Sequence, residues 1–128
     1  MLLDLQVTPT GRCTVVRVGG EIDLASAPVL RQCLDQTIDA GSRQLVVDLG
    51  RVHSMDSVGL GVLVGARRHL LAAGGDDHQE GCIRLVCAPD GLVVRLLRLT
   101  GLDRLFPLHA SLAEALGGEA GQGDDRPG

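Results

Sequence analysis

Leu45-Val46-Val47-Asp48-Leu49-Gly50, followed after a short interval by Met55-Asp56-Ser57-Val58-Gly59-Leu60-Gly61, is the stretch whose reading decides the fold. The first block is a nearly continuous apolar run rich in β-branched residues, which predicts a strand buried on both faces of a sheet and ended by Gly50. From Val58 onward Leu60, Leu63, Val64, Leu70 and Leu71 recur at helical spacing. Arg67 and Arg68 fall on another face, and Gly74-Gly75 stops the segment. A buried strand feeding an amphipathic helix is the unit of an α/β sheet. Ser57 stands where the N-cap of that helix belongs, since its side-chain oxygen can accept a bond from an orphan N–H of the first turn.

Working outward, Leu3, Leu5 and Val7 alternate with polar residues. Pro9-Thr10-Gly11 then turns the chain into a second strand, Cys13 to Val18, giving a β-hairpin closed by Gly19-Gly20. Glu21 to Leu24 reads as a loop leading to Ser26 as a cap, with Pro28 in the first turn of a helix. Val29, Leu30, Cys33, Leu34 and Ile38 form that helix's apolar stripe, and Gly41 stops it. Beyond the Ser57 helix, residues 75–81 form a polar loop holding Asp76, Asp77 and Glu80, followed by the strand Ile83 to Cys87. Leu92, Val93, Leu96, Leu97 and Thr100 line a third helix with Arg95 and Arg98 outward, closed by Gly101. Phe106-Pro107-Leu108 supplies a short edge strand, and Ser111 with Glu114 forms a capping box for a last helix. The expected order is β-β-α-β-α-β-α-(β)-α. It describes one α/β domain over residues 1–116, with a small mixed β-sheet, an N-terminal antiparallel hairpin and about four helices packed against it. Residues 117–128 are rich in glycine and charge and are expected to be disordered.

Composition narrows the function. A chain of 128 residues can bury a real core as one domain. Phe106 is the only aromatic residue, so stacking of bases on aromatic platforms is excluded as a mode of action. The net charge of −4, with basic residues scattered, gives no footprint for nucleic acid or an anionic membrane. There is neither a signal-peptide pattern nor a membrane-spanning apolar run, and a cytoplasmic protein is expected. Cys13, Cys33, Cys82 and Cys87 make no CxxC pair and read as reduced, buried thiols. No metal or cofactor is expected, because His53, His69, His78 and His109 pair with nothing at ligand spacing.

Ser57 itself supports two readings. It is an ordinary N-cap, or it is a phosphoacceptor whose phosphate meets the free N–H groups and positive dipole end of a helix. A hydrolase built from Ser57, His53 and Asp56 is disfavoured, because sequence neighbours rarely supply triad geometry and the GxSxG elbow is missing. Gly59, Gly61 and Gly65 form GxGxxxG, but inside the helical pattern rather than in a phosphate-cradling loop. Close approach of the helix backbone to the sheet or to a partner explains them better. By spacing alone Asp23 is a solvated loop acid.

Four ordered blocks, Gly20-Glu21-Ile22-Asp23-Leu24 with Ala27-Pro28, Val47-Asp48-Leu49, Asp56-Ser57-Val58-Gly59-Leu60-Gly61 and Leu99-Thr100-Gly101-Leu102-Asp103-Arg104-Leu105-Phe106, together resemble the bacterial STAS-domain anti-sigma factor antagonists. The resemblance covers about residues 3 to 116. It implies a small mixed sheet with helices packed against it, and a phosphorylation switch at Ser57. In such proteins an anti-sigma factor that is also a serine kinase is bound by the unphosphorylated antagonist, which frees the sigma factor. The kinase phosphorylates the serine and breaks the contact, and a metal-dependent serine phosphatase restores it. The resemblance puts Asp23 on the partner-binding face together with Asp56, Ser57, Val58, Gly59 and Gly61, and it is compatible with a weak homodimer. Val58 replaces a second hydroxyl residue found in many relatives, while His53 and Ser54 fill a stretch that is often more apolar. The alternative is a STAS module acting as an unswitched structural subunit of a transport or signalling assembly. A nucleotide-binding enzyme is the third reading.

Overall fold

The computed structural model describes residues 3–75 and 83–120. Its elements are β1 (Leu3–Thr10), β2 (Cys13–Ile22), α1 (Ala27–Asp39), β3 (Leu45–Met55), α2 (Ser57–Ala72), β4 (Ile83–Val86), α3 (Leu92–Thr100), a 3-10 turn (Leu102–Arg104), β5 (Leu108–His109) and α4 (Leu112–Ala120). The expected order holds, including the antiparallel β1–β2 hairpin. The five strands lie in the order β1-β2-β3-β4-β5, and every pairing after the first is parallel. The loop acids Asp76, Asp77 and Glu80, together with Cys82 and residues 121–128, lie outside the described residues. α4 runs to Ala120, beyond the domain boundary expected at residue 116.

Side-chain alternation divides the sheet's two faces. Val16, Val18, Leu45, Val47, Ile83 and Leu85 point into the main core with Leu30, Leu34 and Ile38 of α1, Leu60, Leu63 and Leu70 of α2, and Val93, Val94 and Leu97 of α3. Phe106, the lone aromatic, is fully buried there. The intervening residues Cys13, Val15, Val46 and Val86 face the other way and receive Ala115 of α4. Arg84 is buried on that second face, where its Nη1 donates to the Ala115 carbonyl at 2.7 Å and its Nη2 lies 2.9 Å from Cys13 Sγ. The guanidinium fastens α4 to the sheet.

Two strands run longer than the sequence suggests. Gly50 does not end β3, because Asp48 Oδ1 accepts the Gly50 N–H at 2.9 Å and turns the local backbone into a bulge rather than a stop. Pairing passes from Arg17↔Asp48 to Gly19↔Arg51, and again from Gly20↔Val52 to Glu21↔Ser54, with one extra β3 residue at each step. Glu21 and Ile22, expected in a loop, continue β2 and pair with Ser54 and Met55.

The helix faces also need correction. Val29 is 52% exposed rather than part of the α1 stripe, and Cys33 is only half-buried. In α2 the buried set includes Gly59, Val62 and Ala66, while Val64 and Leu71 stay half-buried. α2 closes in a Schellman arrangement: Gly74, at φ +105°, donates to Leu71 O at 3.2 Å, and Gly75 donates to Leu70 O at 2.8 Å. At α4 the capping box forms, with Glu114 N–H donating to Ser111 Oγ at 3.1 Å. The return bond from Glu114 Oε1 reaches the N–H of Ala110 at 3.0 Å, one residue earlier than the simple pattern.

Gly59 is where α2 sits closest on the sheet. A Cβ there would stand 2.5 Å from Met55 Cγ and 2.8 Å from Ile22 Cγ2, whereas a Cβ at Gly61 would meet nothing within 4 Å. Urea unfolding of Gly59→Ala should therefore show a loss of ~1–3 kcal/mol from overpacking. Gly61→Ala, by contrast, should gain up to ~1 kcal/mol from helix propensity.

Candidate functional site

Ile22 and Met55 are register partners at the C-terminal ends of the parallel strands β2 and β3, so the residues that follow them, Asp23 and Asp56, leave the sheet side by side. Asp56 N–H also donates to Ile22 O at 3.3 Å, which ties the two exits together. Each aspartate then caps the turn that follows it.

Asp56, not Ser57, is the N-cap of α2. Its backbone is extended (φ −107°, ψ −172°), and its Oδ1 accepts the Val58 N–H at 3.0 Å. Ser57 becomes the first helical residue. Its side chain is exposed, and its hydroxyl makes no hydrogen bond among the described residues. The carboxylate is the better acceptor for an orphan amide at the positive end of the helix, which explains why it displaces the hydroxyl from the capping role.

Asp23 is likewise more than a solvated loop acid. Its Oδ1 accepts the N–H groups of Ala25 at 3.0 Å and Ser26 at 2.9 Å, and its own N–H donates to Ser26 Oγ at 3.0 Å. Ser26 Oγ in turn donates to Glu21 O at 2.7 Å. The Asp23–Ser26 exchange is a reciprocal box one turn ahead of α1. Ser26 stands at the N-cap of α1 as expected, but its side chain makes no bond to that helix's first turn. The Ser26 backbone N–H is the chief reason that the Asp23 carboxyl lies below its ordinary value of 3.8, with the Ser26 hydroxyl and the Ala25 N–H adding to it.

The structure thus brings Asp23, Asp56, Ser57 and Val58 to one end of the sheet. Val58 is half-buried and packs against the core. Gly59 is buried beneath them, where it sets the height of α2, and Gly61 is exposed one turn along from Ser57. Leu24, next to Asp23, is 75% exposed and was passed over as a loop residue. An apolar residue between a capping acid and an alanine was the available signal, because a turn of this kind needs no large hydrophobe. His53 is exposed and forms no hydrogen bond with Asp56 or Ser57 among the described residues, so no triad is assembled. Cys13 and Cys87 are buried, and burial pushes the Cys87 thiol up to about 11 with Asp48 adding to the shift. That thiol is inert at neutral pH.

Asp56→Ala should cost ~1 kcal/mol in chemical unfolding through loss of the cap, while Ser57→Ala should change stability by less than ~0.5 kcal/mol. For Asp23 the sign is that of a depressed carboxylate. Its contribution is present above its ordinary value of 3.8 and is lost as pH falls through the lower native value. The amide resonances of Ala25 and Ser26 should accordingly titrate with a midpoint below 3.8, and Asp23→Asn should abolish that titration.

The model of the STAS domain matches residues 4–115. The anti-sigma-F factor antagonist RsfB of Mycobacterium tuberculosis is 33% identical over 112 residues, covering 88% of this chain and 85% of that protein. Among solved structures, an anti-sigma factor antagonist from Mycobacterium paratuberculosis is 31% identical, covers 91% of this chain and 93% of its own, and superposes with a TM-score of 0.77. The Bacillus anti-sigma factor antagonist SpoIIAA in its unphosphorylated form is 25% identical over 89% of this chain and 94% of its own, with a TM-score of 0.71. The chain belongs to the STAS-domain family, among relatives that are bacterial anti-sigma factor antagonists.

Proposed function

We propose that this STAS domain is a non-enzymatic, cytoplasmic anti-sigma factor antagonist switched by phosphorylation of Ser57. In its unphosphorylated form it binds an anti-sigma factor serine kinase, so that a sigma factor is released to act in transcription. The kinase phosphorylates Ser57 and ends the contact, and a serine phosphatase reverses the modification.

The observation that carries this reading is the exposed, unbonded hydroxyl of Ser57 beside two carboxylates already committed to capping. A kinase can reach it without unfolding anything. Asp23, Asp56, Ser57, Val58 and Gly61 make the docking face, and Gly59 holds α2 low enough for that face to be continuous with the Asp23 turn. Leu24 adds an exposed apolar side chain whose burial would favour an interface that closes over it. SpoIIAA, a protein of the same fold, occurs in both unphosphorylated and phosphorylated forms.

The mechanism follows from charge. A phosphate adds about −1.5 to −2 charges at neutral pH. On Ser57 it would stand at the positive end of the α2 dipole, which lets the fold carry it. The same phosphate would share that helix end with the Asp56 carboxylate and lie close to the Asp23 turn, so any partner shaped for the unmodified surface meets a concentrated negative patch. A penalty of ~3 kcal/mol in the complex weakens binding more than about a hundredfold.

Incubation with the cognate kinase and ATP should add one phosphate, located by mass spectrometry on Ser57, and none to Ser57→Ala. Phosphate on another residue rejects the assignment. Ser57→Glu should bind the kinase at least ~10-fold more weakly by titration calorimetry.

A further inference from the structure

Ser57, Gly61, Val64, Gly65 and Arg68 follow one another at helical spacing along a single face of α2. Along this face runs an open groove of about 710 Å³, lined by Arg31 of α1, by Leu60, Gly61, Val64, Gly65, Arg68 and His69 of α2, and by Leu102. Two glycines create its depth. A Cβ at Gly61 would meet nothing within 4 Å, and one at Gly65 would stand 3.1 Å from Arg31 Nη1, so the missing side chain lets that guanidinium lie across the helix. The floor is apolar through Val64 and Leu102, while the rim carries Arg31, Arg68 and His69. Among the described residues no carboxylate lines the groove, in a chain whose net charge is −4. Asp35 and Asp39 sit on α1 outside the lining and hold Arg31 (3.3 Å) and His69 (2.7 Å) in place.

We infer that this groove docks an acidic amphipathic helix of a protein partner, laid along α2 from the Ser57 end to Arg68. Its apolar edge would enter over Gly61 and Gly65, and its carboxylates would meet Arg31 and Arg68, in the helix-in-groove mode of recognition. A basic helix would meet like charge at the rim, and a wholly polar one would leave the apolar floor uncovered. The inference rests on the Ser57 face being a partner surface and extends it along the helix. The groove would give the partner a second hold that phosphorylation of Ser57 does not touch directly.

The test uses the whole protein, isotope-labelled, and a synthetic helix of about 14 residues with leucine at every third or fourth position and glutamate between. Amide shifts are expected at Gly61, Gly65, Arg68 and Leu102. They should weaken at least about tenfold in Arg68→Glu and in Gly61→Leu, whose Cβ meets nothing within 4 Å and whose side chain fills the groove. The spectrum of each variant away from α2 should match the wild type. Absence of shifts at Gly61 and Gly65, equal shifts with the lysine counterpart of the peptide, or binding by both variants as tight as by the wild type overturns the inference. If the kinase fails to bind the unmodified protein while the acidic helix still occupies the groove, the Ser57 reading falls and the groove stands.

Discussion

The pairing of Ile22 with Met55 is the constraint on which the site depends. Parallel strands end at the same level only if their register is fixed, and the register here is fixed by buried side chains on both faces of β2 and β3. Because the two strands finish together, the two acids that follow them emerge as neighbours, and each heads a segment leading into a helix. The turns after β2 and β3 are therefore built alike: a carboxylate takes the first free amides, and the next residues are left at the surface. Ser57 is exposed because Asp56 has taken its place as the cap.

Much of this was legible in the sequence. Alternation in β1, the apolar run of Leu45–Leu49 and the helical spacing in α2 and α3 point to the order of strands and α-helices that the structure has, though not to the 3-10 turn at Leu102–Arg104. The four blocks around Asp23, Val47, Ser57 and Gly101 pointed to the family. What could not be read from one strand of text was the competition for hydrogen bonds. Both Asp56 and Ser57 are good caps, and only the extended backbone of Asp56 decides between them. Asp23 and Ser26 exchange bonds across three residues, a relation that resembles an ordinary polar loop until the turn closes. Gly50 reads as a stop because glycine weakens a strand; the Asp48 side chain bonding its N–H makes it a bulge instead.

Packing on the second face of the sheet was the other hidden part. Arg84 sits in an apolar run, where a single arginine would be expected to mark an edge. It is instead buried under α4, donating to the Ala115 carbonyl and lying beside Cys13. The charge is accommodated because its two terminal nitrogens meet backbone and side-chain acceptors there, which eases the cost of placing a guanidinium in a core. The result is a division of labour between faces: α1, α2 and α3 make the main core, while α4 is fastened separately on the other side of the sheet.

The paired bulges of β3 have a consequence for what the segment between Leu49 and Met55 can become. One extra residue reverses which face every later side chain points to, and a second restores it, so Met55 reaches the core only because the irregularities come as a pair. Arg51, His53 and Ser54 are exposed, so the core places little demand on their side chains, whereas a Cβ at Gly50 would stand 3.1 Å from Asp48 Oδ1. Their number is not free. Loss or gain of a single residue there would turn Met55 outward and swing the start of α2, with its serine, to the wrong side of the sheet, so the segment tolerates rewriting but keeps count.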